Sequence, residues 1–312
     1  MADNEIKNAD ELSVNKPRKT AATAKKKTTP SAKKSATAKK SIGKKDDVTV
    51  TDNLKIDYEI TFGHSILFVA SEANPFAGTG GLADVIGSLP KNLALHDEFD
   101  IRVALPLYGS VSPAYRAMMR FEGNFNVPVA WRNQYCGLFS LKYEGVTFYF
   151  IDNEYYFKRD NLYGYYDDGE RFAFFSRAVL EAMRYIDYYP DIIHCHDWQT
   201  ALTVIYLKTI YSSENKFNSV RALFTIHKIE YQGKYGHELL QDLFGLPESC
   251  RQIVDYDGAI NLMKGAIQLA ERFSTVSKTY AEEIKNPYFA HGLEYMTNAN
   301  EYKLCGILNG ID

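Results

Sequence analysis

Short apolar runs alternate with helical segments from about His64 onward, and this alternation limits the chain to few folds. The runs that predict strands are Ser65–Ala70, Ile101–Leu105, Val146–Ile151, Asp191–His194, Ala222–Ile226, Phe273–Val276 and Cys305–Leu308. Helical periodicity marks Leu82–Leu95, Arg171–Ile186, Ala201–Ile210 and Leu262–Ala270. Continuous apolar strands between amphipathic helices indicate a mostly parallel sheet covered on both faces. We therefore predict a Rossmann-like, doubly wound α/β fold, with Tyr108 to Tyr143 as a candidate insertion because it lacks this rhythm.

The beginning of the chain has a different composition. From Lys16 to Lys45 there are 12 Lys and Arg and no Asp or Glu. Such a segment buries too little apolar surface to offset the entropy of ordering, so we predict a disordered lysine-rich tail and linker over residues 1–57 and a folded domain over residues 58–312. Two interpretations of the tail stay open: a contact with polyanions, and a solubilising linker without a specific partner.

Charge and targeting signals restrict the folded part. Residues 48–312 hold 23 Lys and Arg against 33 Asp and Glu, which argues against nucleic acid as the ligand of the folded domain. The start of the chain lacks a basic-then-apolar signal pattern, and no apolar run is long enough to cross a bilayer. The four cysteines are scattered, as expected for reduced thiols. We expect a cytoplasmic protein with no membrane contact.

A glycine-rich loop, Gly78 to Ala83, follows the first predicted strand and opens a helix. Backbone N–H groups and the helix dipole at such a loop can face an anion. The loop also satisfies the dinucleotide pattern G-x-G-x-x-G/A, but the second strand ends in Pro106, Leu107 and Tyr108 rather than in the acid that grips ribose. A nicotinamide dinucleotide is therefore disfavoured, the lysine of a nucleotide triphosphate loop is missing, and a purely structural turn remains an alternative.

Polar side chains follow the ends of several strands. They occur in Glu72–Phe76, His194–Trp198, His227–Gly233 and Asn309–Asp312, and the carboxyl ends of parallel strands meet at one edge of a sheet. This edge has the polar groups that a sugar site requires. His194 and His196 could also suggest a metal hydrolase, but we expect the two imidazoles to point to opposite faces of their strand and predict no metal site.

Five motifs, in order, resemble one family. They are Thr79–Val85 (TGGLADV), His196–Gln199 (HDWQ), Thr225–His227 with Tyr231–Gly233 (TIH and YQG), Thr275–Ser277 with Thr279–Ala281 (TVS and TYA), and Leu308–Asp312 (LNGID). Together they resemble the N-terminal catalytic domain of bacterial glycogen synthases and plant starch synthases of the ADP-glucose type. The resemblance covers nearly everything from His64 to Asp312.

The resemblance implies one Rossmann-like half of a two-domain GT-B glycosyltransferase. Such enzymes transfer glucose from ADP-glucose to the non-reducing end of an α-1,4-glucan such as glycogen, with retention and without a cofactor or an essential metal. The chain ends where the C-terminal nucleotide-sugar domain of the family begins, so we expect no turnover from this chain alone. Open alternatives are a non-catalytic glucan-binding half-domain, one part of a split synthase, and another nucleotide-sugar transferase of the sucrose-synthase kind.

The same resemblance implies roles for individual residues. His196 and Asp84 are the catalytic candidates. The imidazole or backbone carbonyl of His196 would lie beside the transferred glucose, and Asp84 would order the glycine loop or bind the acceptor or donor sugar, although a helix-start carboxylate is the alternative for Asp84. The other substrate-binding candidates are Gly78, Thr79, Gly80, Gly81, His227, Tyr231, Gln232 and Asn309, with the Gly80 and Gly81 amides on the donor diphosphate.

Three positions depart from the family pattern. Gly78 replaces a lysine that helps to bind the donor, Lys228 replaces an asparagine, and Lys278 replaces a proline. The choice between ADP-glucose and UDP-glucose is therefore open.

Overall fold

The computed structural model describes residues 63–310, so the lysine-rich segment and the predicted boundary near residue 57 lie outside the described part. The strands are β1 His64–Val69, β2 Phe99–Pro106, β3 Arg120–Val129, β4 Arg132–Tyr143, β5 Val146–Asp152, β6 Ile192–His196, β7 Arg221–Ile226, β8 Lys234–Tyr235, β9 Asp255–Tyr256, β10 Ala259–Asn261, β11 Arg272–Thr275 and β12 Leu304–Gly306. The helices are α1 Gly81–Leu93, α2 Pro113–Met118, α3 Glu154–Phe157, α4 Asp168–Tyr185, α5 Trp198–Lys208, α6 Asn215–Asn218, α7 Leu239–Asp242, α8 Arg251–Val254, α9 Leu262–Leu269, α10 Lys278–Glu283 and α11 Glu294–Ala299, with 3-10 turns at Glu248–Cys250 and Glu301–Lys303.

A nine-stranded sheet forms the centre of the molecule, in the order β12-β11-β7-β6-β1-β2-β5-β4-β3. Every pair from β12 to β5 is parallel, which confirms the predicted fold class. The chain builds from β1 outward through β2 and then returns to place β6 on the other side of β1. This reversal creates a crevice at the carboxyl ends of β1 and β6, where open α/β sheets bind ligands.

The stretch from Tyr108 to Tyr143 extends the sheet rather than standing apart from it. It contains α2 and an antiparallel pair, β3 and β4, and β4 in turn pairs antiparallel with β5. Most of β3 is exposed or half-buried, so its sequence alternates instead of forming a continuous apolar run. The parallel-strand pattern used for the prediction therefore could not detect it.

Helix packing follows the apolar faces of the sequence. In α4 the side chains of Phe172, Phe175, Val179 and Met183 recur at helical spacing and are all buried. Helix α5 is buried along Thr200–Leu207 because it packs between α4 and α9. A smaller antiparallel sheet, β8-β10-β9, lies beyond the end of β7 in the sequence. Within residues 63–310, no helix has both the length and the apolar character to cross a membrane.

Candidate active site

A cavity of about 870 Å³ opens at the carboxyl ends of the central strands. Its wall combines the loop after β1, the turns after β6 and β7, the loop before α4 and the end of the described chain. The lining residues are Glu72, Thr79, Gly80, Gly81, Leu82, Tyr163, Gly164, Asp168, Asp197, Trp198, Gln199, His227, Lys228, Tyr231, Val276 and Asn309. The segments after β1, β6 and β7 therefore meet at one cavity, as the sequence predicted for the carboxyl ends of these strands.

The glycine loop presents open backbone to this cavity. Gly80 is the N-cap of α1, and no side chain caps the helix. A Cβ atom on Gly80 or on Gly81 would meet no protein atom within 4 Å, so both backbones face free space. Gly78 differs, because a Cβ there would lie 2.5 Å from the Cβ of Ala83 and 2.7 Å from Oδ1 of Asn74. Gly78 thus permits tight packing of the loop, whereas Gly80 and Gly81 leave room for a ligand.

A buried carboxylate fixes the start of this loop. Glu72 is 4% exposed, and its Oε2 accepts the Thr79 backbone N–H at 2.5 Å. Its Oε1 accepts the Thr79 hydroxyl at 2.9 Å and the Tyr163 hydroxyl at 2.7 Å. Three hydrogen bonds on one carboxylate offset the cost of burying it. Glu72 therefore joins the glycine loop to the loop before α4.

The loop before α4 is held by a buried ion pair. Arg171 is fully buried and donates to Asp168 Oδ1 at 2.5 Å and to the backbone oxygens of Leu162 and Tyr156. The other oxygen of Asp168 accepts the backbone N–H of Gly164 at 2.8 Å. These contacts bring Tyr163 and Gly164 to the cavity wall.

Asp197 holds the turn after β7 from the end of β6. It has a left-handed φ of 57°, which a non-glycine residue adopts at a cost in strain. Its Oδ1 accepts the backbone N–H groups of His227 at 2.7 Å and Lys228 at 3.3 Å. Burial raises the pKa of Asp197 to about 7, although the two N–H donors favour the carboxylate.

Three imidazoles cluster at this edge of the sheet: His227 lines the cavity, and His194 and His196 are buried behind its wall. The rings of His194 and His196 are 4.1 Å apart, so the expectation that they point to opposite faces was wrong: residues two apart on a strand share a face. His196 Nδ1 lies 3.0 Å from His227 Nε2, and one ring must donate to the other. Burial lowers the pKa of His194 to about 3, that of His227 to about 4, and that of His196 well below its usual value. All three are therefore neutral at pH 7.

No group of three or more His, Cys, Asp or Glu side chains within residues 63–310 has an arrangement that could hold a metal ion. The Nε2 atom of His194 instead makes a hydrogen bond with the Thr225 hydroxyl, at 2.6 Å. The Thr225 hydroxyl also makes a hydrogen bond with the Ser274 hydroxyl, at 2.7 Å. This imidazole is thus engaged in a structural hydrogen-bond chain between β6, β7 and β11.

Comparisons with known proteins agree with this geometry. The family model described as the starch synthase catalytic domain matches residues 65–299. The chain belongs to this family. The glycogen synthases of Desulforamulus reducens and Lactobacillus acidophilus are each 47% identical over 249 residues, covering 79% of this chain and 52% of each relative. This chain thus spans about half the length of the curated relatives it matches.

A solved structure gives the same result for the fold. The catalytic domain of starch synthase IV from Arabidopsis thaliana, bound to ADP and acarbose, is 32% identical with a TM-score of 0.73. The likeness covers 80% of this chain and 52% of that one. Together with the parallel sheet, it identifies the fold as a Rossmann-like α/β fold of the GT-B-like kind found in starch synthases.

The structure divides the residues that the starch synthase resemblance singled out. Thr79, Gly80, Gly81, His227, Tyr231 and Asn309 line the cavity. His196 is 1% exposed and lies behind His227. Gly78, Asp84 and Gln232 also lie outside the cavity wall.

Asp84 and Gln232 both make structural contacts. Asp84 Oδ1 accepts the side-chain N–H of Asn74 at 2.7 Å, beside a separate small cavity that includes Lys91 and Tyr143. Buried Gln232 donates to the backbone oxygens of Ile229 and His291. Of the alternatives open for Asp84, this contact corresponds to ordering the loop after β1.

Sequence reasoning named no role for several wall residues, among them Tyr163 and Trp198. Tyr163 lies in an irregular segment before α4, and its contact with Glu72 joins residues 91 positions apart. No local pattern could signal that contact. Trp198 directly follows the His-Asp pair, and its position at the carboxyl end of β6 was an available but unused signal.

Proposed function

We propose that this chain supplies the acceptor-side wall of a glycogen or starch synthase-type glucosyltransferase. The reaction transfers glucose from ADP-glucose to the non-reducing 4-hydroxyl of an α-1,4-glucan, with retention at the anomeric carbon. The observation that carries the proposal is the cavity at the β1 and β6 switch point, because it combines open glycine backbone, aromatic faces and the neutral imidazole of His227.

Aromatic side chains support a sugar ligand. Tyr163, Trp198 and Tyr231 all line the cavity, and Tyr231 is 54% exposed. An aromatic face packs well against the apolar C–H face of a pyranose, while the ring hydroxyls remain free for hydrogen bonds. We assign the acceptor glucan to this aromatic wall, with His227 and Asn309 as its polar neighbours.

His227 supports a polar contact between the cavity wall and the transferred sugar, and the His196 ring behind it fixes its orientation. His196 Nε2 is buried and has no hydrogen-bond partner within the described part of the chain. Its backbone oxygen already accepts the Thr200 hydroxyl at 2.8 Å. Because both rings are neutral, the pair can orient a sugar hydroxyl without adding charge. Preorganised dipoles of this kind stabilise a transition state without a reorganisation cost during the reaction.

The donor side of the proposal uses the glycine loop. The uncapped N-terminus of α1 opens at Gly80 and Gly81, where backbone N–H groups and the helix dipole favour an anion. We assign the donor diphosphate to this end of the cavity. The relatives are about twice as long as the matched part, so we propose that turnover also needs a segment equivalent to their other half. One wall alone does not exclude water from the reacting sugar.

The test is the affinity of the full chain for maltoheptaose, measured by calorimetry. Tyr231→Ala removes an aromatic face from the wall and should weaken binding by about tenfold, the loss of one good contact. Tyr288→Ala is the matched control, because Tyr288 is 84% exposed and does not line the cavity. Wild-type chain that binds neither maltoheptaose nor ADP-glucose would refute the proposal.

Incorporation of glucose from ADP-glucose into glycogen tests the need for a second wall. The chain alone should give none, and turnover by the chain alone would show that one wall suffices. Glycogen binding without any donor binding would instead favour a non-catalytic glucan-binding module.

The lysine-rich segment from Lys16 to Lys45 leaves two hypotheses, a polyanion contact and a solubilising linker. Heparin chromatography separates them, since deletion of residues 1–47 should abolish salt-sensitive retention only if the segment binds polyanions. Unchanged retention after deletion would indicate the linker.

A further inference from the structure

The charges around the cavity are unevenly distributed. Glu72, Asp168 and Asp197 contribute three carboxyl groups to its wall. His227 is neutral, so Lys228 is the one cationic side chain among the described residues that line it. A nucleotide sugar carries a negatively charged diphosphate, and this wall offers that diphosphate a single ammonium group. The position of Lys228 is therefore decisive for the proposed donor.

Lys228 stands on a turn that is fixed from several sides. Its backbone N–H donates to Asp197 Oδ1, and the next N–H, that of Ile229, donates to the Tyr280 hydroxyl at 3.1 Å. The turn closes with a hydrogen bond from the Tyr231 N–H to the Lys228 oxygen at 3.3 Å. The flexible side chain thus extends from a defined backbone position at the cavity wall.

The ammonium group has only a weak partner in the described protein. Lys228 Nζ lies 3.5 Å from Glu230 Oε2, and the side chains are 59% and 49% exposed. It also lies 4.7 Å from the centre of the Tyr231 ring, a cation–π contact. An exposed ion pair of this kind contributes little to stability. A phosphate can therefore replace the Glu230 carboxylate as the partner of Lys228 at a low cost in free energy.

The glycine loop cannot easily supply a second cation. A side chain at Gly78 would collide with Ala83 and Asn74, as its Cβ contacts of 2.5 and 2.7 Å indicate. Gly80 and Gly81 contribute N–H groups but no charge. The loop and the Lys228 turn nevertheless border the same cavity, so one ligand can reach both.

We propose that the Lys228 ammonium binds a phosphate of the nucleotide-sugar donor, opposite the open N-terminus of α1. This inference rests on the proposed function and adds a specific donor-binding residue to it. Lys228 acts as a point charge with rotatable donors, which suits a phosphate. Glu230 competes for the same ammonium group and therefore weakens donor binding.

The experiment uses the full chain with Trp131→Phe, which leaves Trp198 in the cavity wall as the only tryptophan. Its fluorescence is titrated separately with ADP and with maltoheptaose. Lys228→Met should weaken ADP binding about 10- to 100-fold, the loss of one charged hydrogen bond, and leave maltoheptaose binding within about twofold. Glu230→Gln should strengthen ADP binding about 2- to 5-fold, because the competing carboxylate is removed. Lys234→Met is the matched control: Lys234 is exposed, lies outside the cavity wall, and its loss should change neither affinity.

The outcomes separate the two levels of the argument. ADP affinity that is unchanged in Lys228→Met overturns the inference and leaves the proposed function intact. An equal loss of ADP and maltoheptaose binding in that variant also overturns it, because the effect is then structural. Wild-type chain that binds maltoheptaose and ADP-glucose but not ADP rejects the phosphate contact alone, whereas binding of maltoheptaose without ADP or ADP-glucose also favours the non-catalytic glucan-binding module. Wild-type chain that binds neither ADP, ADP-glucose nor maltoheptaose overturns the proposed function as well.

Discussion

Strand β6 is flanked by two aspartates, Asp191 before its first residue and Asp197 after its last, and their environments are opposite. Asp191 is exposed, and its Oδ2 accepts the backbone N–H of Ser65 at 2.7 Å and the Ser65 hydroxyl at 2.9 Å. These hydrogen bonds, the backbone one first, lower the pKa of Asp191. Asp197 is buried with a positive φ, and burial raises its pKa to about 7.

The difference shows what each edge of the sheet does. At the amino edge, carboxylates remain in water and satisfy the first N–H groups of strands, as Glu271 also does for Ala222 at 2.6 Å. At the carboxyl edge, strained backbone and buried titratable groups surround a cavity. At Asp197, backbone strain and desolvation coincide in the wall of the cavity, and the surrounding packing supports their cost.

The largest expected effect is the loss of stability in Asp197→Ala. The change leaves the part-buried N–H groups of His227 and Lys228 without their carboxylate acceptor and places alanine at a left-handed φ. We expect the free energy of unfolding to fall by about 3 kcal/mol or more, measured by urea denaturation. Asp197→Asn keeps an acceptor oxygen and tolerates this φ, so it should retain most of that stability. An equal loss in both variants would contradict the hydrogen-bond argument.

The next effect concerns pH. In the native protein the pKa of His194 is about 3, whereas the unfolded chain protonates it near 6.5. Below pH 6.5 the unfolded state therefore binds a proton that the folded state does not. As the pH decreases, the free energy of unfolding decreases by about 1.4 kcal/mol per pH unit because of this residue. Asp197 has the opposite effect between pH 7 and its unfolded pKa of 3.8. Over this range the folded protein binds the proton first, so Asp197 increases the free energy of unfolding as the pH decreases.

His194→Gln isolates this contribution. From pH 6.5 to pH 5 the variant should lose about 2 kcal/mol less unfolding free energy than the wild type. His96→Gln, at an exposed position after α1, controls for the removal of a histidine. Parallel pH curves for His194→Gln and the wild type would show that the buried imidazole is protonated in the native state.

The sequence predicted the parallel core of the molecule well and its carboxyl edge only in part. The first, second, third and fifth predicted strands are confirmed as β1, β2, β5 and β7, because buried parallel strands read as continuous apolar runs. The fourth was predicted to end at His194, but β6 continues to His196. Histidine is read as a polar residue in a sequence pattern, whereas here His196 packs against the rings of Phe68 and His194, and burial lowers its pKa.

Candidate site residues followed the same division. Gly80 and His227, which follow strand ends, were named as site residues by the family resemblance, and their position after parallel strands indicated the same ligand edge. Tyr163 escaped prediction because only the three-dimensional path of the loop before α4 brings it to Glu72. Asp84 sits in the most recognisable motif, yet it lies beside another cavity, where its side chain accepts a hydrogen bond from Asn74.

A smaller effect tests the two kinds of glycine in the same loop. Gly78→Ala forces a Cβ against Ala83 and Asn74 and should cost about 1–2 kcal/mol of stability, as overpacking does. Gly80→Ala meets no protein atom within 4 Å, so thermal denaturation should show a change within about 0.5 kcal/mol. Under the proposed function, Gly80→Ala should instead weaken ADP binding, because its methyl group enters the cavity. If Gly78→Ala weakened ADP binding and Gly80→Ala did not, the ligand would approach the loop from the Gly78 side.

The smallest effect belongs to the amino edge. Asp191→Ala removes the acceptor for two groups of Ser65, but these groups are near solvent, and water can replace the carboxylate. We expect a loss of about 1 kcal/mol in urea denaturation, the net value of ordinary hydrogen bonds, and maltoheptaose affinity unchanged. Ser65→Ala should give a similar loss because it removes one of the same contacts. If Asp191→Ala weakened glucan binding as strongly as Tyr231→Ala, the two ends of β6 would be coupled through the strand. The separation between a structural and a ligand-binding edge would then be wrong.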